Sequence, residues 1–347
     1  MVWIVAYNTI SPGLKAYNSY VSVMLTCECQ RAATLPVNLN SFQLILRSSI
    51  NVPAGRSLSL IDIIIRHYGS NSTTPKSYQL AHIKRLLTDP EFDLSKSTVL
   101  YAHGYVELTS DESVRIITTA YMKHGGYNVL VLDWSNMAFG NYLNVALDIT
   151  TIGKETAKAI GTLLNNGLSL ESLHFVGHSL GTHLLAGAAR TLSEQGFRIP
   201  RITGLDPAYP GFYPPILGTP LTSKDAKFVD IIHTDGGGYG APTRTGHADF
   251  WPNGGQAKQP GCLSATVPLT IEDFCSHWRS WAFWAESVAG GEFFARKCED
   301  YDAFLRGQCK EGQLVRMGLQ ATPDLRGNFY LRTAAKPQYS LQERGAE

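Results

Sequence analysis

Residues 175–182 read Phe-Val-Gly-His-Ser-Leu-Gly-Thr, and this run restricts the fold more than any other stretch of the chain. Its G-x-S-x-G pattern places Ser179 between Gly177 and Gly181. Apolar, strand-like residues (Leu173–Gly177) precede it, and a helical pattern from Leu180 to Gln195 follows, with Gly196 as the stop. A serine on so tight a strand-to-helix turn needs small neighbours, because strand and helix approach closely there. The context therefore predicts a nucleophile elbow with Ser179 at its tip. The start of the following helix would direct free N–H groups and partial positive charge at a developing oxyanion.

The flanking segments continue the same alternation. Ser97–Tyr105 and Tyr127–Trp134 read as buried strands. Between them, Ser110-Asp111-Glu112 starts a helix that Gly125-Gly126 ends. A long helix carries Ile149, Ile152, Ile160, Leu163 and Leu164 at helical spacing, with Gly167 past its end. Arg201–Leu205, Phe228–Thr234 and Gly327–Leu331 read as further strands. Strands alternating with helices predict an α/β fold with a mostly parallel central sheet and helices on both faces. The expected organisation is a poorly patterned leader or extension over 1–55, one domain over 56–335 and a tail over 336–347.

Composition removes several classes of function. Among 347 residues the formal net charge is +1, and no Lys/Arg-rich stripe is present, so nucleic acid is not an expected partner. No run approaches the 18 or so apolar residues of a transmembrane helix. Four of the six cysteines form two close couples. The economical pairing is Cys262–Cys275 and Cys298–Cys309, which implies an oxidising, extracellular setting. Each bridge would close a loop of 12–14 residues, worth about 3 kcal/mol in the chain-entropy model. Asn71-Ser72-Thr73 is a glycosylation acceptor sequence and agrees with secretion. Lys15, the thin apolar run Tyr20–Thr26 and Ala32-Ala33 supply only a weak version of a secretion signal.

Ser179 needs an acid and a base, and on this fold the acid precedes the base in the chain. Asp206, Asp225, Asp230, Asp235 and Asp249 follow the serine. Asp206 is favoured because it ends the strand-like RITGLD, and α/β sheets place their sites at strand carboxyl ends. Asp225 and Asp230 read as ordinary surface or loop carboxylates, and Asp133 as a structural hydrogen bonder. The histidines in range are His233, His247 and His277. His233 lies in an apolar strand and reads as a core residue. His247 sits in a glycine-rich loop, with a loop carbonyl as the expected partner. His277 opens a helix beside Cys275, and the residues favour it only mildly. The two oxyanion donors expected are the N–H of Leu180, after the nucleophile, and one from the His103-Gly104-Tyr105 loop. His103 itself reads as a brace for that loop.

HGY (103–105), VLDW (131–134), VGHSLGTH (176–183), GLDPAYPGF (204–212), DAKFVDIIHTDGG (225–237), GHADFWPNGG (246–255), QPGC (259–262), CSHWRS (275–280) and CEDYDAFLRGQC (298–309) together resemble the pancreatic (neutral) lipase family of α/β-hydrolases, particularly its single-domain insect members. The resemblance implies Ser179 as nucleophile, Asp206 as orienter, His277 as base, and the Tyr105 and Leu180 N–H groups as the oxyanion hole. It implies acyl-ester hydrolysis at a lipid–water interface, on a phospholipid or other glycerolipid, with no cofactor.

Departures from the family pattern narrow the expectation. The chain ends too early for the carboxy-terminal β-sandwich that binds colipase, so no colipase partner is expected. Twelve residues (263–274) separate Cys262 from Cys275, about half the lid of a pancreatic triacylglycerol lipase. The loop between His233 and Gly246 is short as well. Both features resemble the phospholipase A1 members, with a triacylglycerol lipase as the alternative. A non-catalytic yolk-protein-like lipid binder is more remote, because Ser179, Asp206 and His277 are all present. Asp225 matches one ligand of the family's calcium site, but Leu217, Pro220 and Thr222 stand where polar ligands are expected. No metal is anticipated.

Overall fold

The structure is a computed structural model that describes residues 63–69, 74–263 and 267–347. The 1–55 extension, Cys27, Cys29 and the Asn71-Ser72-Thr73 triplet lie outside the described residues.

The described chain alternates strands and helices. In order they are β1 (Ile64–Tyr68), β2 (Lys76–Gln79), β3 (Ser97–Ala102), α1 (Glu112–His124), β4 (Tyr127–Asp133), α2 (Tyr142–Leu164), β5 (Leu173–His178), α3 (Leu180–Glu194), β6 (Arg201–Leu205), β7 (Phe228–Ile232), β8 (Ala248–Pro252), α4 (Ile271–Val288), β9 (Phe293–Lys297), α5 (Tyr301–Leu305), β10 (Leu314–Met317) and β11 (Gly327–Leu331). They form one sheet in the order β10-β9-β11-β8-β7-β6-β5-β3-β4-β1-β2. The centre from β11 to β4 is parallel. The antiparallel strands β1–β2 and β9–β10 flank it.

Side-chain alternation along the strands builds two cores. Leu100, Leu130 and Leu132 join Ile152 and Ile160 of α2 and Leu184 and Leu192 of α3 on one face. Val99, Tyr101, Val129 and Val131 join Ile117 and Tyr121 of α1 and Phe283 and Trp284 of α4 on the other. Right-handed crossovers explain the division. The chain moves one way along the sheet from β3 to β4 and the opposite way from β4 to β5 to β6, so α1 and the α2–α3 pair fall on opposite faces. The α/β class with helices on both faces is thus present.

Several boundaries differ from expectation. β3 stops at Ala102, which frees His103–Tyr105 as a loop. The stretch around GHADFWPNGG contains β8, a fully buried strand whose lack of alternation hid it. Residues 336–347 fold back on the sheet. The Arg332 N–H donates to the Gly345 carbonyl at 2.7 Å, and Ala346 is buried. Both disulfides form as paired above, with Cα separations of 5.7 Å for Cys262–Cys275 and 5.5 Å for Cys298–Cys309. No helix among the described residues is long and apolar enough to cross a membrane.

Candidate active site

Three loops meet at the carboxyl ends of adjacent parallel strands. Ser179 follows β5 directly and precedes α3, with φ 52° and ψ −122°. A residue other than glycine at positive φ is strained and persists only where its surroundings fix it. The fixing contacts are backbone ones. The Ser179 N–H donates to the Leu205 carbonyl at 3.0 Å, and its own carbonyl accepts from Thr182 N–H at 3.1 Å. A Cβ on Gly177 would stand 2.5 Å from Thr182 Cα, and one on Gly181 would stand 2.3 Å from the Ala102 carbonyl oxygen. The two glycines are required by that approach.

Asp206 follows β6 and is fully buried. Its Oδ1 accepts from the N–H groups of Thr234 (2.8 Å) and Asp235 (3.2 Å), which fix the carboxylate. Its Oδ2 lies 2.6 Å from His277 Nδ1. With a carboxylate as partner, Nδ1 carries the proton and Nε2 keeps its lone pair. His277 is 3% exposed and Ser179 9% exposed, so the site is largely screened from water.

His277 lies in the second turn of α4, not at its start. The helix begins six residues earlier, where the Thr270 hydroxyl accepts from Asp273 N–H at 3.3 Å. That cap was legible as Thr270 followed by Glu272 and Asp273. Cys275, two residues before His277, ties the helix to Cys262.

Leu180 is the first residue of α3, so its N–H has no partner within the helix. The Tyr105 loop comes up against the elbow at Gly104, where a Cβ would lie 3.0 Å from Ser179 Cβ. Val106 turns the chain with φ 53°, and its N–H donates to the Ala138 carbonyl at 2.9 Å. The Tyr105 hydroxyl donates to the Gly140 carbonyl. His103 braces the loop as expected. Its carbonyl accepts from Trp134 Nε1 at 3.1 Å, and its ring stacks on Trp134.

The other histidines are elsewhere engaged. His233 Nε2 is 2.9 Å from Asp249 Oδ1 and Nδ1 is 3.1 Å from the Ala241 carbonyl, so no ring nitrogen is left to act as a base. His247 Nδ1 accepts from the Val229 N–H of β7 at 3.0 Å, a strand donor instead of the expected loop carbonyl.

Two carboxylates read as surface groups are buried. Asp230 pairs with the Arg201 guanidinium at 2.8 and 2.7 Å. Asp225 pairs with Arg190 through both oxygens at 2.8 Å. A chance charge 29 or 35 residues away in sequence gives no local signal of such pairing. Arg190 also donates to the Thr219 and Pro220 carbonyls. Asp225 Oδ2 accepts from Thr222 N–H at 2.7 Å as well. The donor set therefore does not fit a calcium ion: its carboxylate and two carbonyls are spent on a guanidinium. Asp133 is paired with Arg66 at 2.6 Å, in keeping with a structural role.

Asp235 is the residue that sequence reasoning passed over. One oxygen of Asp235 lies within 4.8 Å of ligand atoms of both Asp206 and His277. Burial first, and the Asp206 charge second, push its carboxyl up to about 7. The loop that carries it also supplies Tyr239, whose ring lies 5.8 Å from His277 and whose hydroxyl donates to Asp273.

The family model described as "Lipase" matches residues 53–339. The chain is 33% identical over 274 residues to human pancreatic lipase-related protein 2, covering 72% of this chain and 56% of that protein. It is 30% identical over 300 residues to the pancreatic triacylglycerol lipase of Myocastor coypus, covering 77% and 64%. With the pig pancreatic lipase-related protein 2 the identity is 34% over 251 residues, covering 66% and 52%. The chain thus spans between about half and two thirds of the length of these relatives. Given the parallel sheet, the serine elbow and these matches, the chain belongs to the pancreatic lipase family of α/β-hydrolases.

Proposed function

We propose that the protein is a serine lipase that cleaves acyl esters of glycerolipids through an acyl-enzyme, and that it is of the phospholipase A1 type. The observation that carries the catalytic reading is the 2.6 Å contact of His277 Nδ1 with Asp206 beside the strained Ser179 elbow. His277 Nε2 takes the proton from Ser179 Oγ as Oγ bonds to the ester carbonyl carbon. The Leu180 and Tyr105 N–H groups hold the oxyanion. Collapse expels the glycerol oxygen, which takes that proton from His277. Water then attacks the acyl-serine and gives a proton to the same nitrogen; as the acyl–Oγ bond breaks, Ser179 Oγ takes that proton back from His277 and the fatty acid leaves. None of these steps calls for a cofactor.

The substrate class rests on the lid. The Cys262–Cys275 bridge closes it at a sequence separation of 13. So short a cover leaves room for a charged head group above Ser179 at lower desolvation cost. A neutral-fat reading has its own support. Leu263 beside Cys262 and Ile271 at the start of α4 are 77% and 72% exposed and offer apolar surface to fat. The bridges also support an extracellular setting.

Phosphatidylcholine with distinguishable acyl chains, assayed beside trioctanoin with Ser179→Ala as control, tests the reading. Serine-dependent release from the sn-1 position is expected. Release from trioctanoin alone would move the assignment to triacylglycerol lipase. Loss of all release, with no labelling of Ser179 by a fluorophosphonate, would favour a binding protein.

A further inference from the structure

A second buried pair stands beside the triad. His178 immediately precedes Ser179, and Glu107 lies two residues beyond Tyr105. Their side chains are nearly enclosed, and Glu107 Oε1 lies 2.6 Å from His178 Nδ1. The other Glu107 oxygen accepts from the Ser113 hydroxyl of α1 at 2.8 Å. On its far side the His178 ring lies 4.7 Å from the His277 ring, centroid to centroid. Both His178 ring nitrogens are buried and neither has an aligned hydrogen-bond partner among the described residues, so the 2.6 Å approach of Glu107 to Nδ1 is a close polar contact.

These groups converge on one point. A Cβ on Gly104 would meet Ser179 Cβ at 3.0 Å and both Glu107 Oε1 and His178 Nδ1 at 3.1 Å. Burial works against the Glu107 carboxylate, but the polar surroundings, the close His178 ring first among them, outweigh it and hold its pKa down to about 2. A charge buried this deeply persists only when paired, and an apolar pair of the same volume would pack without that desolvation cost. What the Glu107–His178 contact adds is direction: it fixes the loop of Tyr105 at one distance from the elbow of Ser179.

We propose that Glu107 and His178 are positioning residues of this site, clamping the oxyanion loop onto the nucleophile elbow and giving His277 a fixed ring to pack against. The proposal rests on Ser179 being the nucleophile. In it neither residue touches substrate, so their loss lowers kcat and leaves KM in place.

The test is steady-state hydrolysis of p-nitrophenyl butyrate by wild type, Glu107→Gln, Glu107→Asp and Ser113→Ala, with thermal melts of each. Glu107→Gln is expected to lose about 10- to 100-fold in kcat with KM within about twofold, as small misplacements of reacting groups do. Glu107→Asp, which keeps the charge, should recover most of the loss. Should Glu107→Gln fail to fold, Ser113→Ala still reads the clamp, because it removes only the outer hydrogen bond; about a two- to fivefold fall in kcat is expected. Unchanged kcat in every variant that folds would overturn the proposal, as would a rise in KM alone. A wild type that neither turns over the ester nor takes a fluorophosphonate would instead overturn the nucleophile reading, and the clamp with it.

Discussion

Gly240 sits directly against Asp206: a Cβ at position 240 would stand 2.2 Å from the Asp206 carboxylate. The loop after β7 thus closes over the acid with backbone alone, and its Asp235 N–H donates to the same carboxylate. The carboxylate that contacts His277 is walled in by a residue with no side chain. Gly240→Ala is expected to displace the carboxylate and lower kcat by about 100-fold, while the far-ultraviolet circular dichroism spectrum stays that of the wild type. An active Gly240→Ala enzyme would show that the carboxylate has room to move.

Asp206→Asn preserves the Oδ1 acceptor for Thr234 and Asp235 but replaces the oxygen facing His277 Nδ1. The imidazole then loses the partner that keeps Nε2 free. Turnover of p-nitrophenyl butyrate should fall by about 10⁴-fold, with little change in melting temperature.

Asp235 makes stability depend on pH in a defined direction. Its carboxyl is raised from 3.8 to about 7, so between those values the folded chain holds a proton that the unfolded chain has released. The contribution of this group to stability therefore falls as pH rises from about 4 to about 7. Melting curves across that window should show a flatter dependence for Asp235→Asn than for wild type. Parallel curves would remove Asp235 as the source.

Arg190 holds the 219–225 loop through Asp225 and two carbonyls. Arg190→Ala leaves a buried carboxylate without its partner and is expected to cost about 3 kcal/mol by urea denaturation. Chelator or added calcium should shift neither the melting temperature nor the rate of the wild type. A calcium-dependent rise in melting temperature would contradict the guanidinium as the resident cation.

The extent to which sequence foretold this structure follows from how local each signal is. The elbow was legible because the strand, the G-x-S-x-G turn and the helix follow one another directly and Gly177 answers to Thr182 a few residues on, although Gly181 answers to the distant Ala102 carbonyl; Leu100 and Val131 announced buried strands by continuous apolar runs. β8 was not, because Ala248–Pro252 is buried on both faces and contains a proline at its end. Asp225 and Asp230 resembled solvent-facing carboxylates because Arg190 and Arg201 reach them only through the fold. Asp235 carried no mark of its own; its raised pKa is a product of burial and of Asp206, neither visible in HTDGG. Glu107 and His178, 71 residues apart, meet only once β3 and β5 pair.

The contact between Gly181 and the carbonyls of Ala102 and His103 has a consequence for redesign. Because backbone presses on backbone, the location of the serine is inherited from the spacing of β3 and β5 and offers no side chain to adjust. A protein engineer has to leave that junction intact and vary exposed positions instead, such as the apolar Phe139, Ile216 and Leu263. Libraries confined to exposed positions should keep Ser179 in place in nearly every member, whereas random changes at positions 177 and 181 should displace it.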